Sequence, residues 1–157
     1  MATLDPKSLQ QQHQPSHSVS TSTNPSLLKL KLLDCLRNGD TKKLVELSKN
    51  FTNTSNPQLT KLNDQLLHFA VQVGPLSIIE YVVSNKMVDS VNIQDDDGNT
   101  PLHLAVTSSR ADVITYLMGI DTINDCIVNK QGQQPMEASS NMDIVQLLSD
   151  LRTKFVE

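Results

Sequence analysis

Three segments of this sequence align without a gap around Gly39, Gly74 and Ser109, one every 35 residues. An internal period of roughly 20–50 residues marks an array of small units, none of which can bury its apolar side alone. Seven residues before each anchor stand Leu32, Leu67 and Leu102, and four before it Cys35, Ala70 and Ala105. Five after it come Leu44, Ile79 and Ile114, and eight after it Leu47, Val82 and Leu117. Each unit thus has two apolar segments of helical spacing broken at the anchor, which predicts two short antiparallel helices stacked on those of the next unit. A weaker fourth copy begins near Asn129, where Gly132-Gln-Gln-Pro135-Met136 echoes Gly98-Asn-Thr-Pro101-Leu102; its Ile144-Val-Gln-Leu-Leu148 arrives three residues early.

The third unit is the most legible. Thr100 is placed to cap a helix, Pro101 suits its first position, and Asp112 to Met118 carries Val113, Ile114 and Leu117 on one face. Gly39 and Gly74 are expected to end their first helices in the left-handed conformation, with Pro75 blocking continuation. The stretch 50–63, NFTNTSNPQLTKLN, reads as a polar insertion between the first two units. Residues 1–26 contain only Met1, Ala2, Leu4, Leu9 and Val19 as apolar side chains, too few to offset the entropy of ordering, and read as a disordered tail.

Composition narrows the function. The 157 residues suffice for one domain without disulfides or metals. A net charge of −4 argues against nucleic acid or an anionic membrane as the main partner, and five aromatic residues without Trp argue against base-stacking platforms. Cys35 and Cys126 fit no metal spacing, so a reducing compartment is expected. The start, Met1-Ala-Thr-Leu-Asp-Pro-Lys-Ser8, does not read as a secretory leader, and no stretch reaches membrane-spanning length. Asn50 and Asn53 match glycosylation acceptors, but without a leader modification is not expected.

Asp95-Asp-Asp-Gly98-Asn-Thr100-Pro101-Leu102-His103-Leu104-Ala105 resembles the ankyrin signature T-P-L-H-x-A with its preceding hairpin. The second unit keeps Leu67-His68-Phe69-Ala70 but has Gln65-Leu66 in place of Thr-Pro, so its first turn is expected to be capped less well. The resemblance implies an all-α ankyrin solenoid of about four repeats with projecting β-hairpin loops, at about 27–50, 62–88, 95–121 and 129–151 within a domain of 27–157.

A narrower likeness follows from Leu27-Leu-Lys-Leu-Lys-Leu-Leu-Asp34, Leu67-His-Phe-Ala-Val-Gln-Val-Gly-Pro75 and Thr122-Ile-Asn-Asp-Cys126. These blocks resemble the N-terminal ankyrin region of the long fungal oxysterol-binding protein homologues. There, that region precedes a pleckstrin homology domain and a sterol and phosphoinositide transfer domain, neither of which is expected within this chain. The resemblance implies a non-catalytic module that targets a lipid-transfer protein to a nucleus–vacuole or ER contact site by binding a membrane-anchored partner. It implies a cytoplasmic, peripheral location, with the Golgi a further one. An ankyrin adaptor or inhibitor in transcription or signalling is the alternative.

Candidate residues follow from the repeat positions. The residue after the signature His and the one four further on tend to face the concave groove of ankyrin repeats, and here they are Asp34 and Asn38, Phe69 and Val73, Leu104 and Ser108. Phe69, Val73 and Leu104 would form an apolar strip with Ser108 at its edge, and Asp95 and Asp97 would favour basic flanks on a bound segment. The other reading packs these side chains under the 50–63 insertion. His68 and His103 are expected to bond locally and hold the helix start and turn. Cys35 is expected as a buried structural thiol, and Cys126 as a packing residue. Asp95-Asp-Asp97 lacks the spacing of a calcium loop, His13 and His17 lack further ligands, and no catalytic constellation is found. No cofactor, metal, bound lipid, nucleic acid or membrane insertion is expected.

Overall fold

The computed structural model describes residues 24–52 and 55–156. The expected tail therefore lies outside the described residues up to position 23. Its last residues do not belong to it: α1 (Pro25–Asn38) starts at Pro25, with the Asn24 side chain accepting from Ser26 N–H at 2.9 Å. Asparagine followed by proline is a strong start signal in its own right.

After α1 come α2 (Thr41–Thr52), α3 (Pro57–Asp64), α4 (Leu66–Val73), α5 (Leu76–Ser84), α6 (Pro101–Thr107), α7 (Ala111–Met118), a 3₁₀ turn (Pro135–Ala138) and α8 (Met142–Val156). The first helices form one row, α1 against α4, α4 against α6, and α6 against the 3₁₀ turn. Across from them each pairs with its second helix, α1 with α2, α4 with α5, α6 with α7, and the turn with α8. No β-strand occurs among the described residues. The projecting loops are instead turns closed by two backbone bonds each, Asp95 N–H to Asn99 C=O with Gly98 N–H to Asp95 C=O, and Asn129 N–H to Gln133 C=O with Gly132 N–H to Asn129 C=O.

The 35-residue pattern is the core. Leu32, Leu67, Leu102, Leu44, Ile79 and Ile114 are all fully buried, as are Ala70 and Ala105, while Cys35 keeps 1% of its surface. Small residues at the Cys35, Ala70 and Ala105 position let neighbouring helices approach closely. The cost of stacking falls at the joints, where glycine acts in two different ways. Gly39 is left-handed with φ 70° and ends α1 as expected. Gly74 is not: its φ of −93° and ψ of 157° are extended, because a residue before proline is pushed out of the helical region. Glycine is needed there for space, since a Cβ would stand 2.5 Å from Ile78 Cγ2 and 2.9 Å from the Ala70 carbonyl. The third joint places Ser109, a non-glycine, at φ 53°.

The polar 50–63 insertion contains a helix, and the fourth unit departs from the helix-turn-helix expected of it. Asn56 and Pro57 start α3, which buries Leu59 and Leu62 against α2, an amphipathic spacing hidden among polar residues. In the fourth unit the first helix shrinks to one 3₁₀ turn. Ser139 and Ser140 stand where the third unit has Ala105 and Val106, so the apolar contacts that would extend the helix are missing, and Ile144, Leu148 and Leu151 of α8 fill the core from an early start.

Candidate functional site

The residues expected to line a groove lie on the first-helix row, which is ordered by how each helix is started. Thr100 Oγ1 accepts from His103 N–H, and His103 Nδ1 accepts from Thr100 N–H at 3.1 Å, a reciprocal cap. The other ring nitrogen donates to the Gln133 carbonyl at 2.8 Å, in the next unit. His68 does the same one unit earlier, its Nε2 donating to the Asn99 carbonyl at 2.9 Å. Both histidines therefore join consecutive units, a longer reach than expected, and of the two His103 also bonds within its own. A carbonyl acceptor requires N–H at Nε2, so both rings leave Nδ1 as an acceptor.

The poorer cap of the second unit has a visible result. Only Gln65 separates α3 from α4, and its φ of −96° and ψ of 7° are not the extended geometry a cap needs. His68 is 2% exposed and its Nδ1 has no hydrogen-bond partner. Burial pushes its pKa below the usual histidine value, with the Asn99 carbonyl bond opposing.

Of the expected strip, Phe69 and Val73 are half-buried and Ser108 is exposed. Leu104 is only 9% exposed and belongs to the core; α6 lies between α4 and the 3₁₀ turn, and both pack on it. α3 packs on α2, α1 and α4, the last being the helix that carries Phe69 and Val73. The apolar surface instead shifts toward α1, where Leu30 is 65% exposed. Leu30 is four residues before Asp34 and so on the same helical face, a position outside the repeat alignment and missed for that reason. Lys29 completes this edge, its Nζ 5.3 Å from the Phe69 ring centroid.

The acidic tip divides into structural and free carboxylates. Asp95 Oδ1 accepts from Asp97 N–H and Asn99 N–H at 3.0 and 2.8 Å, so it builds the turn. Asp96 pairs with Lys61 of α3 at 2.7 Å, which holds its carboxyl below the usual carboxylate range. Asp97 is exposed. Cys35 Sγ–H donates to the Asp40 carbonyl, and burial with the nearby Asp40 carboxylate pushes the thiol up to about 11, which leaves no thiolate nucleophile near neutrality. Cys126 is exposed, not packed. Among the described residues no three His, Cys, Asp or Glu side chains gather to hold a metal, and no helix is long and apolar enough to cross a membrane.

The family model for ankyrin repeats in three copies matches residues 32–126 and 67–155. The chain belongs to the ankyrin-repeat family. Within that protein-interaction fold, the crystal structure of the Osh1 ANK domain from Kluyveromyces lactis superposes with a TM-score of 0.79 at 43% identity, over 85% of this chain and 56% of that one. A crystal structure titled as Saccharomyces cerevisiae Osh1 ANK with Nvj1 gives 0.77 at 36% identity, over 83% and 56%. Oxysterol-binding protein homologues 2 and 1 of Saccharomyces cerevisiae are 39% and 36% identical over 78% and 91% of this chain. The ankyrin chain spans 11% and 13% of those two proteins. The yeast phosphate system positive regulatory protein PHO81 is 31% identical over 41% of the chain.

Proposed function

We propose that this ankyrin array docks a segment of a membrane-anchored protein and thereby targets a sterol or phospholipid transfer protein to a nucleus–vacuole contact. The likeness to an Osh1 ANK domain solved with Nvj1 carries the reading. In this chain Phe69 and Val73 would supply the apolar anchors of the groove, with Ser108 at its edge and Leu104 beneath. Asp97 would attract basic flanks, while Asp95 holds the turn that presents it. Nothing in the fold or in these relatives supports the Golgi location that the sequence likeness implied.

The test replaces Phe69 and Val73 by Asp and measures affinity for Nvj1 by titration, with helicity checked by circular dichroism. Loss of binding of at least about tenfold in a folded protein is expected for anchors of this kind. Unchanged affinity rejects the groove. The PHO81 likeness favours a second reading as a regulatory adaptor; nuclear enrichment of the tagged chain, without accumulation at the contact, would select it.

A further inference from the structure

The net charge of −4 conceals a division along the solenoid. Lys29, Lys31, Arg37, Lys42, Lys43 and Lys49 on the first helix pair outnumber Asp34, Asp40 and Glu46, a local charge of +3. Between residues 55 and 156, twelve acidic residues face six basic ones, a charge of −6. A stacked array keeps such a division apart in space, because each unit touches only its neighbours.

Four of the lysines surround one feature. A groove of about 470 Å³ runs between α1 and α2, floored by Leu28 and Leu47 and edged by Lys31, Lys43, Glu46 and Asn50. Beside it on α2, Lys42, Val45 and Lys49 stand at i, i+3 and i+7 and form one exposed stripe. Val45 is 37% exposed. None of the ion pairs among the described residues uses these four lysines. Of the acids on the pair, Asp40 is engaged at the start of α2, accepting from Lys43 N–H at 3.0 Å, and Asp34 accepts from Asn38.

We propose that this basic end of the solenoid is an electrostatic docking surface for an anionic phospholipid bilayer. The chemistry favours a lipid surface over a single acidic peptide. The charges are lysines spread over two helices, point charges without the paired donors that select one carboxylate or phosphate geometry. An exposed valine between two of them adds apolar contact of the kind an interface accepts. The acidic excess of the units beyond α2 turns the solenoid so that α1 and α2 meet the leaflet. The surface adsorbs the chain without inserting it. It lies apart from Phe69 and Val73, so it does not rest on the groove reading.

The experiment is flotation of the full 157-residue chain with vesicles of phosphatidylcholine alone and of phosphatidylcholine rich in phosphatidylserine, at low and high salt. Retention on the serine-containing vesicles, released by salt, is expected. Lys42→Gln with Lys49→Gln alters two exposed side chains outside any ion pair and should weaken retention about 25-fold, about fivefold for each lysine. Equal binding to neutral vesicles, no binding at low salt, or unchanged binding by the double variant would overturn the proposal. So would capture of a polyglutamate peptide without vesicle binding, which assigns the surface to an acidic protein. Val73→Ser, a neutral change in the strip, should float as the wild type does, which separates this surface from the groove.

Discussion

Gly98 and Gly132 occupy equivalent turn positions at φ 79° and 76°, yet they carry different loads. A Cβ on Gly98 would meet Lys130 N at 2.8 Å and Asn129 Cα at 3.0 Å, whereas one on Gly132 would meet nothing within 4 Å. Gly132→Ala should cost only the left-handed backbone penalty, about 1 kcal/mol. Gly98→Ala adds a backbone clash with the next tip and should cost about 2–4 kcal/mol in urea unfolding. His68 gives a pH prediction. The unfolded histidine takes a proton near about 6.5, while the buried ring does so only at lower pH, so the unfolded chain binds more protons in between. Stability should be insensitive to this group above about 6.5 and fall as pH drops below it. His68→Gln, whose amide can still donate to Asn99, should show a shallower fall in urea midpoint between about pH 7 and 5; an unchanged slope would assign the dependence elsewhere.

At the scale of elements, α3 separates a decorative insertion from a structural one. Leu59 and Leu62 are 4% and 7% exposed. Leu62→Ala should cost about 2–4 kcal/mol if α3 is part of the cooperative fold, as its packing on α2 indicates. A cost under about 0.5 kcal/mol would mean that α3 opens independently of the rest. The sequence hid this helix because a two-leucine stripe among Asn, Thr, Gln and Lys reads as polar. The shortened first helix of the fourth unit was signalled by the three-residue early arrival of Ile144, but the replacement of a helix by a 3₁₀ turn depended on how little apolar surface Ala138, Ser139 and Ser140 bring to α6.

At the scale of the molecule, stability is a sum of units and the joints between them, and specific polar bridges cross those joints. Arg110 Nη1 donates to the carbonyls of Val71 at 2.8 Å and Gly74 at 2.6 Å, joining the third unit to the end of α4. His103 bridges the third unit to the fourth through Gln133. Arg110→Ala should cost about 2–3 kcal/mol, since it leaves helix-end carbonyls without their charged donor. It should also lower the cooperativity of unfolding, read as a smaller denaturant m-value. A cost without any change in m would mean that the other contacts at this joint suffice to keep the units coupled.

The period of 35 residues, set by Leu32, Leu67 and Leu102 with their partners, determined the fold by itself, because a repeat that cannot bury its face alone has to stack. Local chemistry determined the caps as well: Thr100, Pro101 and Asn24 act within one helical turn, where sequence spacing is spatial spacing. Three features needed the tertiary structure. Leu104 is core because helices on both sides cover it, Gly74 is required by an approaching Ile78 side chain, and His68 finds its acceptor 31 residues away. Leu104 and His68 depend on what a neighbouring unit places beside them, and Gly74 on how its own unit folds Ile78 back over the end of α4, beside the Leu36 carbonyl of the unit before. The same holds for charge, whose total was legible in composition but whose separation between the first helix pair and the units beyond it became a surface property only once the units were stacked in line.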